Sequence, residues 1–177
     1  MKKIFIVLIL SFAITEGKTF GQIEVDHLKV RDYNKTSFGG FLNFSIPKGE
    51  SDYYTMEFGI QYFDDESGDY LGLIPVIFGY RYTLNRTGYG LYIEPDAGYS
   101  FGGSTFTNHD QYGNSTTEIR PAGPTAGISF GYLLSLSGVN FDFAVKYQRG
   151  FGKDPTNVFS FRLSHSFSFR RKNRSSR

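Results

Sequence analysis

Tyr53-Tyr54-Thr55-Met56-Glu57-Phe58-Gly59-Ile60-Gln61-Tyr62-Phe63 divides into two faces when every second residue is taken. Tyr54, Met56, Phe58, Ile60 and Tyr62 share one, and Thr55, Glu57, Gly59 and Gln61 the other. A period of two belongs to the extended chain, whose successive side chains point to opposite sides, so this segment is a strand with one apolar and one polar face. The division recurs along the chain. Ile74, Val76, Phe78, Tyr80 and Tyr82 oppose Gly79, Arg81 and Thr83, and Leu91, Ile93, Ala97, Tyr99 and Phe101 oppose Tyr92, Glu94, Asp96, Gly98 and Ser100. Residues 38–46, 120–132, 139–148 and 158–169 alternate in the same way, which makes seven strands.

A barrel with both chain ends on one side needs an even number. The eighth candidate is 23–31, where Ile23 and Val25 alternate but Leu28 and Val30 fall on the opposite face. A bulge near Asp26-His27 would restore the register. The connections sort into two kinds: 84–88, 135–138 and the somewhat longer 47–52 read as hairpin turns, whereas 32–36, 64–69, 102–118 and 149–156 are longer and polar. Short and long connections in alternation are those of an up-and-down barrel with its long loops on one side. The Gly- and Ser-rich 102–118 stretch is expected to be a mobile loop.

The chain opens with Lys2-Lys3, an apolar run over 4–14 and the small residues Thr19 and Gly21, the layout of a secretory signal ending before Gln22. That run is shorter than the roughly 20 residues a membrane-crossing helix needs, and no second one follows. Beyond Gly21 there are sixteen basic and sixteen acidic residues, but Arg170, Arg171, Lys172, Arg174 and Arg177 crowd the end. The body to Phe169 is therefore acidic, which excludes nucleic acid as its partner. The expected organisation is a signal peptide over 1–21, one domain over 22–169 and a basic periplasmic tail over 170–177. With no cysteine, no disulfide supports the exported domain.

An apolar wall with charge on the other face suits a sheet closed in lipid, where closure removes the unpaired backbone edges that hydrocarbon cannot tolerate. The expectation is all-β: an eight-stranded antiparallel up-and-down transmembrane β-barrel in the outer membrane. Its lumen would hold Glu57, Arg81, Glu94, Asp96, Arg120, Asp142, Lys146 and Arg162 as a mutually neutralising network, with glycines at 59, 79, 98, 123, 127 and 131 making room. Aromatic residues at the strand ends, such as Tyr54, Tyr80 and Tyr147, would form interfacial girdles. The alternative polarity, apolar inside and polar outside, is that of a soluble lipocalin-like carrier.

The last strand, Arg162-Leu163-Ser164-His165-Ser166-Phe167-Ser168-Phe169, resembles the terminal signal read by the outer-membrane assembly machinery, matched at Arg162, Phe167 and Phe169. Ser164 stands where that signal usually has glycine, and a basic tail follows. Residues 73–82 and 90–99 are similar to the small outer-membrane β-barrel family abundant in Bacteroidota, related to the OmpX and OmpA transmembrane barrels, and the resemblance covers 36–169. It implies a monomeric barrel in contact with outer-membrane lipid and lipopolysaccharide, and roles in envelope integrity or surface contact.

Chemical motifs are sparse. A lipid-modifying barrel enzyme needs His and Ser two apart on one face, and beside His165 that place holds Phe167. His109-Asp110 has too few neighbouring ligands for zinc, and His27 reads as a strand or turn residue. Asp64-Asp65-Glu66 with Asp69 lacks calcium-loop spacing and reads as a solvated loop. No cofactor motif is present. The expected function is non-enzymatic, residing in the outer loops above a closed lumen.

Overall fold

The computed structural model describes residues 18–31, 33–64, 70–110, 113–136 and 139–167; the side chains of Tyr33, Asp64, Tyr70, 104–118 and Phe167 are not among those described. The strands are β1 (Lys18–Val30), β2 (Tyr33–Lys48), β3 (Asp52–Asp64), β4 (Tyr70–Thr83), β5 (Gly90–Asp110), β6 (Gly113–Ile119), β7 (Gly123–Leu136), β8 (Val139–Gly150) and β9 (Thr156–Phe167). Every pairing is antiparallel, and β1 closes the sheet by pairing with β9 from Thr19↔Phe167 to Val30↔Thr156. β5 pairs with β4 as far as Gly72↔Gly103, then continues alone with β6 from Ser104↔Ile119 to Asp110↔Gly113. Lower down, β7 takes the place beside β5. β6 and β7 thus share one position in the wall, and the barrel has eight staves with a hairpin rising from one of them.

Burial fixes the polarity of the wall. On β1 and β2, Ile23 and Phe38 expose 63% and 73% of their surface, while Glu24 and Asp26 expose none. Phe78, Leu91, Phe130, Phe161 and Leu163 are likewise exposed on the outside, and Arg81, Lys146 and Arg162 are buried inside. This is the lipid-facing arrangement, the reverse of a lipocalin-like carrier.

Three expectations about the elements require correction. β1 has no bulge: its ladder to β2 is unbroken from Lys18↔Ser45 to Val30↔Tyr33. Leu28 and Val30 face inward because the lumen itself is apolar at that end, where they pack with Phe63, Leu71, Leu73, Ile119 and Val158. Next, β2 begins at Tyr33, which pairs with Val30, so the expected loop at 32–36 is strand from Tyr33 onward, and Arg31 adopts φ 49°. Finally, 102–118 is largely strand, the β5–β6 hairpin, consistent with its β-branched Thr105, Thr107, Thr116 and Thr117.

The strand ladder starts at Lys18, ahead of the expected processing point, and Phe20 packs with Tyr92, Leu133 and Ala144 at the opposite end of the lumen. Processing before Gln22 would remove these first residues from β1. Positions 1–17, the acids at 65, 66 and 69, Phe169 and the basic tail lie outside the described residues. The lumen is therefore layered: an apolar cluster at each end and a charged layer between them.

Candidate functional site

The charged layer draws on strands all around the barrel. Inward positions of β3, β4, β5, β8 and β9 present Glu57, Arg81, Glu94, Asp142, Lys146 and Arg162, as the period of two requires. Arg81 Nε meets Glu94 Oε2 at 2.6 Å and its Nη2 meets Asp142 Oδ2 at 3.0 Å. Arg162 Nη1 lies 3.2 Å from Glu57 Oε2, and its Nη2 lies 3.7 Å from Glu94 and 3.6 Å from Asp142. Lys146 pairs with the other Glu57 oxygen. In the strand order β3 and β8 stand on opposite walls, so the Glu57–Lys146 pair spans the bore.

Neutral groups tie the charges together. Tyr92 donates its hydroxyl proton to Asp142 Oδ1 at 2.6 Å and accepts from Arg162 Nη2 at 2.6 Å, while its ring underlies the Arg81 guanidinium at 4.0 Å. Thr55 donates to Glu94 at 3.0 Å, and Gln22 Nε2 to Glu57 at 2.6 Å. Charges that share several partners and neutral hydrogen bonds in this way are what make buried charge tolerable. Phe41 also lies in the lumen, its ring 5.7 Å from Lys146 Nζ. A Cβ at Gly59 would come within 2.3 Å of that ring, so this glycine is the space Phe41 occupies.

Of the eight lumen residues expected from the sequence, Glu57, Arg81, Glu94, Asp142, Lys146 and Arg162 form one network. Asp96 faces inward near Gly79 and Gly127, with its Oδ1 lacking a hydrogen-bond partner. Arg120 is not in the lumen. It is exposed at the joint between β6 and β7, a break in the strand that contains Pro121. Sequence reading missed Glu24, Asp26 and Gln22 on β1, because the assumed bulge obscured which face they occupied; plain alternation from Gln22 would have found them. Glu24 and Asp26 replace the expected neutrality with surplus acid: six lumen carboxyl groups, at 24, 26, 57, 94, 96 and 142, stand against Arg81, Lys146 and Arg162. Glu24 Oε2 and Asp26 Oδ2 have no partner among the described residues, although Ser160 donates to the other Asp26 oxygen.

A second cluster closes the outer mouth. Asp154, in the β8–β9 connection and 3% exposed, pairs through Oδ1 with Arg31 in the β1–β2 turn. Its Oδ2 accepts the Arg120 backbone N–H at 2.8 Å, and its own N–H donates to the Arg120 carbonyl at 3.1 Å. The Arg120 N–H, and after it the Arg31 guanidinium, hold the Asp154 carboxyl below the usual carboxylate range.

Two histidines, at 27 and 165, have described side chains. His165 stands edge-on to Phe141, ring centroids 5.3 Å apart. His27 Nδ1 lies 3.0 Å from Thr36 Oγ1 on the outer wall, an imidazole–hydroxyl contact not read from the sequence, and no carboxylate among the described residues orients that ring. Among the described residues no group of three or more His, Cys, Asp or Glu side chains is placed to hold a metal ion. Arg162 of the expected assembly signal lies in the lumen, and Phe167 is the last residue of β9.

This fold is shared with solved proteins. The crystal structure of Neisserial surface protein A (NspA) matches with a TM-score of 0.65 at 9% identity, over 88% of this chain and 98% of that one. The crystal structure of Ail, the attachment invasion locus protein of Yersinia pestis, matches with a TM-score of 0.57 at 12% identity, over 85% and 97%. No protein-family model and no curated protein sequence matches the chain. At such identities the likeness is one of fold. With the apolar outer wall, it defines the class: an eight-stranded transmembrane β-barrel of the outer-membrane type, located in the outer membrane.

Proposed function

We propose that this chain is a non-enzymatic outer-membrane barrel with a closed lumen, acting in envelope structure or surface contact through its outer connections. The observation that carries this reading is the division of labour between lumen and wall. Charged side chains from opposite strands brace the bore shut, while one stave continues beyond the barrel as the β5–β6 hairpin. A wall residue pair such as His27 and Thr36, with no carboxylate among the described residues to orient it, supports a structural role over ester hydrolysis. The resemblance to Bacteroidota-type barrels, and the match of Arg162, Phe167 and Phe169 to a terminal assembly signal, support insertion as a monomer by the outer-membrane assembly machinery.

The test is to replace residues 105–117 with a two-residue turn and express both forms in a Gram-negative host. Both should remain folded in cold SDS and shift on boiling, because the hairpin lies outside the closed ladder. Attachment of the cells to surfaces coated with extracellular-matrix protein should rise with the full chain and fall to the host's background with the trimmed one. Equal attachment by the two forms would remove the hairpin from the function. Loss of the mobility shift on boiling from both forms would remove the barrel reading itself.

A further inference from the structure

Lys18, at the inner end of β1, is held between two tyrosines. Its Nζ lies 5.3 Å from the Tyr53 ring centroid and 4.7 Å from that of Tyr89, with each hydroxyl at 3.4 Å. Two aromatic rings and two oxygens around one ammonium make a cage that suits a cation. The turn before β5 fixes it. Tyr53 donates to the Gly88 carbonyl at 3.3 Å, Gly88 has φ 73°, and a Cβ there would come within 2.8 Å of the Tyr53 hydroxyl. Two residues further along β1, Phe20 fills the inner plug.

Processing before Gln22, the layout expected from the sequence, takes Lys18 and Phe20 away and leaves the cage without its cation. It also opens a slot in the wall. Residues 42–45 of β2 lose their partners on one side, and His165, Ser166 and Phe167 of β9 lose theirs on the other. Backbone left unpaired beside lipid is costly, so the slot calls for a replacement strand. Phe167 pairs with Thr19, so the chain leaves β9 one strand spacing, about 4.8 Å, from the vacated positions. Ten residues follow Phe167, and Arg170, Arg171, Lys172, Arg174 and Arg177 among them supply five cations. A segment turning back from β9 runs antiparallel to it, the direction that β1 takes. Extended, those residues reach about 33 Å, enough for a turn and for the slot.

We infer that, once the leader is removed, the basic segment 170–177 folds back into this slot and places one of its cations in the Tyr53–Tyr89 cage, closing the inner mouth in place of residues 18–21. Charge, direction and reach together identify this occupant. The inference rests on the expected processing and gives the tail a role within its own barrel.

The experiment uses the full barrel exported by a Gram-negative host and purified in detergent. N-terminal sequencing fixes its first residue, which should lie beyond Lys18. Trypsin is then added to the folded protein, and loss of the tail is followed by intact mass. The tail should be cut on the order of tenfold more slowly in the wild type than in Tyr89→Leu, the usual worth of a partly desolvated cation–π contact. Tyr89→Phe keeps the ring and should protect nearly as well as the wild type. A tetrapeptide of residues 18–21, Lys-Thr-Phe-Gly, should compete for the slot and speed the cleavage. Equal cleavage of the wild type and Tyr89→Leu, or a mature chain that retains Lys18, would overturn the assignment. So would a tail cut freely while the tetrapeptide still shifts the Tyr89 ring resonances, because the cage would then serve an amine from outside the chain. The cold-SDS shift is scored on every sample, so loss of the barrel is told apart from loss of the site. Should Tyr89→Leu fail to fold, the tetrapeptide competition on the wild type decides the matter.

Discussion

Lys146 and Arg162 both reach Glu57 across the bore, so removing either leaves a carboxylate buried and short of a partner. Truncating one member of a buried pair is far more costly than removing a charge that had no counterion. Lys146→Met should therefore destabilise the barrel by about 3–5 kcal/mol, read as a lower urea midpoint in lipid vesicles. Glu24→Gln should have the opposite character. Glu24 has one oxygen without a partner, in a lumen where carboxyl groups already outnumber bases, and Gln keeps its shape while removing the acid. Its midpoint should be unchanged or higher. If Glu24→Gln proved as damaging as Lys146→Met, the lumen would not hold surplus acid. At this scale the sequence showed which residues point inward, because alternation states that directly. It did not show that Glu57 meets Lys146, 89 positions away, nor that Phe41 fills the space left by Gly59. Those are facts of closure, invisible in a local pattern.

Asp154 works between elements, joining the β1–β2 turn, the β6–β7 joint and the β8–β9 connection over the outer mouth. Its carboxyl is held below the ordinary range when folded, by the Arg120 N–H and then by Arg31. A depressed folded value means the ionised form stabilises the native mouth. That contribution is complete above the ordinary carboxylate value and is lost as pH falls through the lowered one. In bilayer nanodiscs the Arg120 amide proton should titrate with a midpoint below that of an unperturbed aspartate, and Asp154→Asn should abolish the titration. A midpoint at or above the ordinary value would show that the three connections are not clasped by this carboxylate. Strands were legible at this scale wherever one face was wholly apolar, as in β3, β5 and β8. β1 was not read cleanly because its outer-end residues Leu28 and Val30 face an apolar plug, so hydrophobicity changes face without any change in register. The break at 120–122 contains Pro121, yet a strong alternating pattern on either side masked it.

For the molecule as a whole, the layered lumen sets what can pass. At the outer end Leu28, Val30, Phe63, Leu71, Leu73, Ile119 and Val158 form a packed apolar plug, and at the inner end Phe20, Tyr92, Leu133 and Ala144 form another. Between them Arg81, Lys146 and Arg162 are engaged by carboxylates from facing strands. An ion entering from either side would first shed water against apolar side chains and then break buried pairs, each step costing several kcal/mol. Eight staves leave an interior that side chains fill rather than a channel. The barrel should therefore give no steady current in planar bilayers. The excess of carboxyl groups over bases adds a second, independent expectation for the variant Leu28→Ser/Leu71→Ser, which makes the outer plug polar. Any current it passes should favour cations, because six carboxyl groups face three bases along the path and the field of a narrow low-dielectric bore selects ions of opposite sign. A tenfold potassium chloride gradient measures this directly through the sign of the reversal potential. Large steady currents from the wild type would mean that the lumen is not braced, and anion preference in the variant would mean that the acids of β1 do not face it.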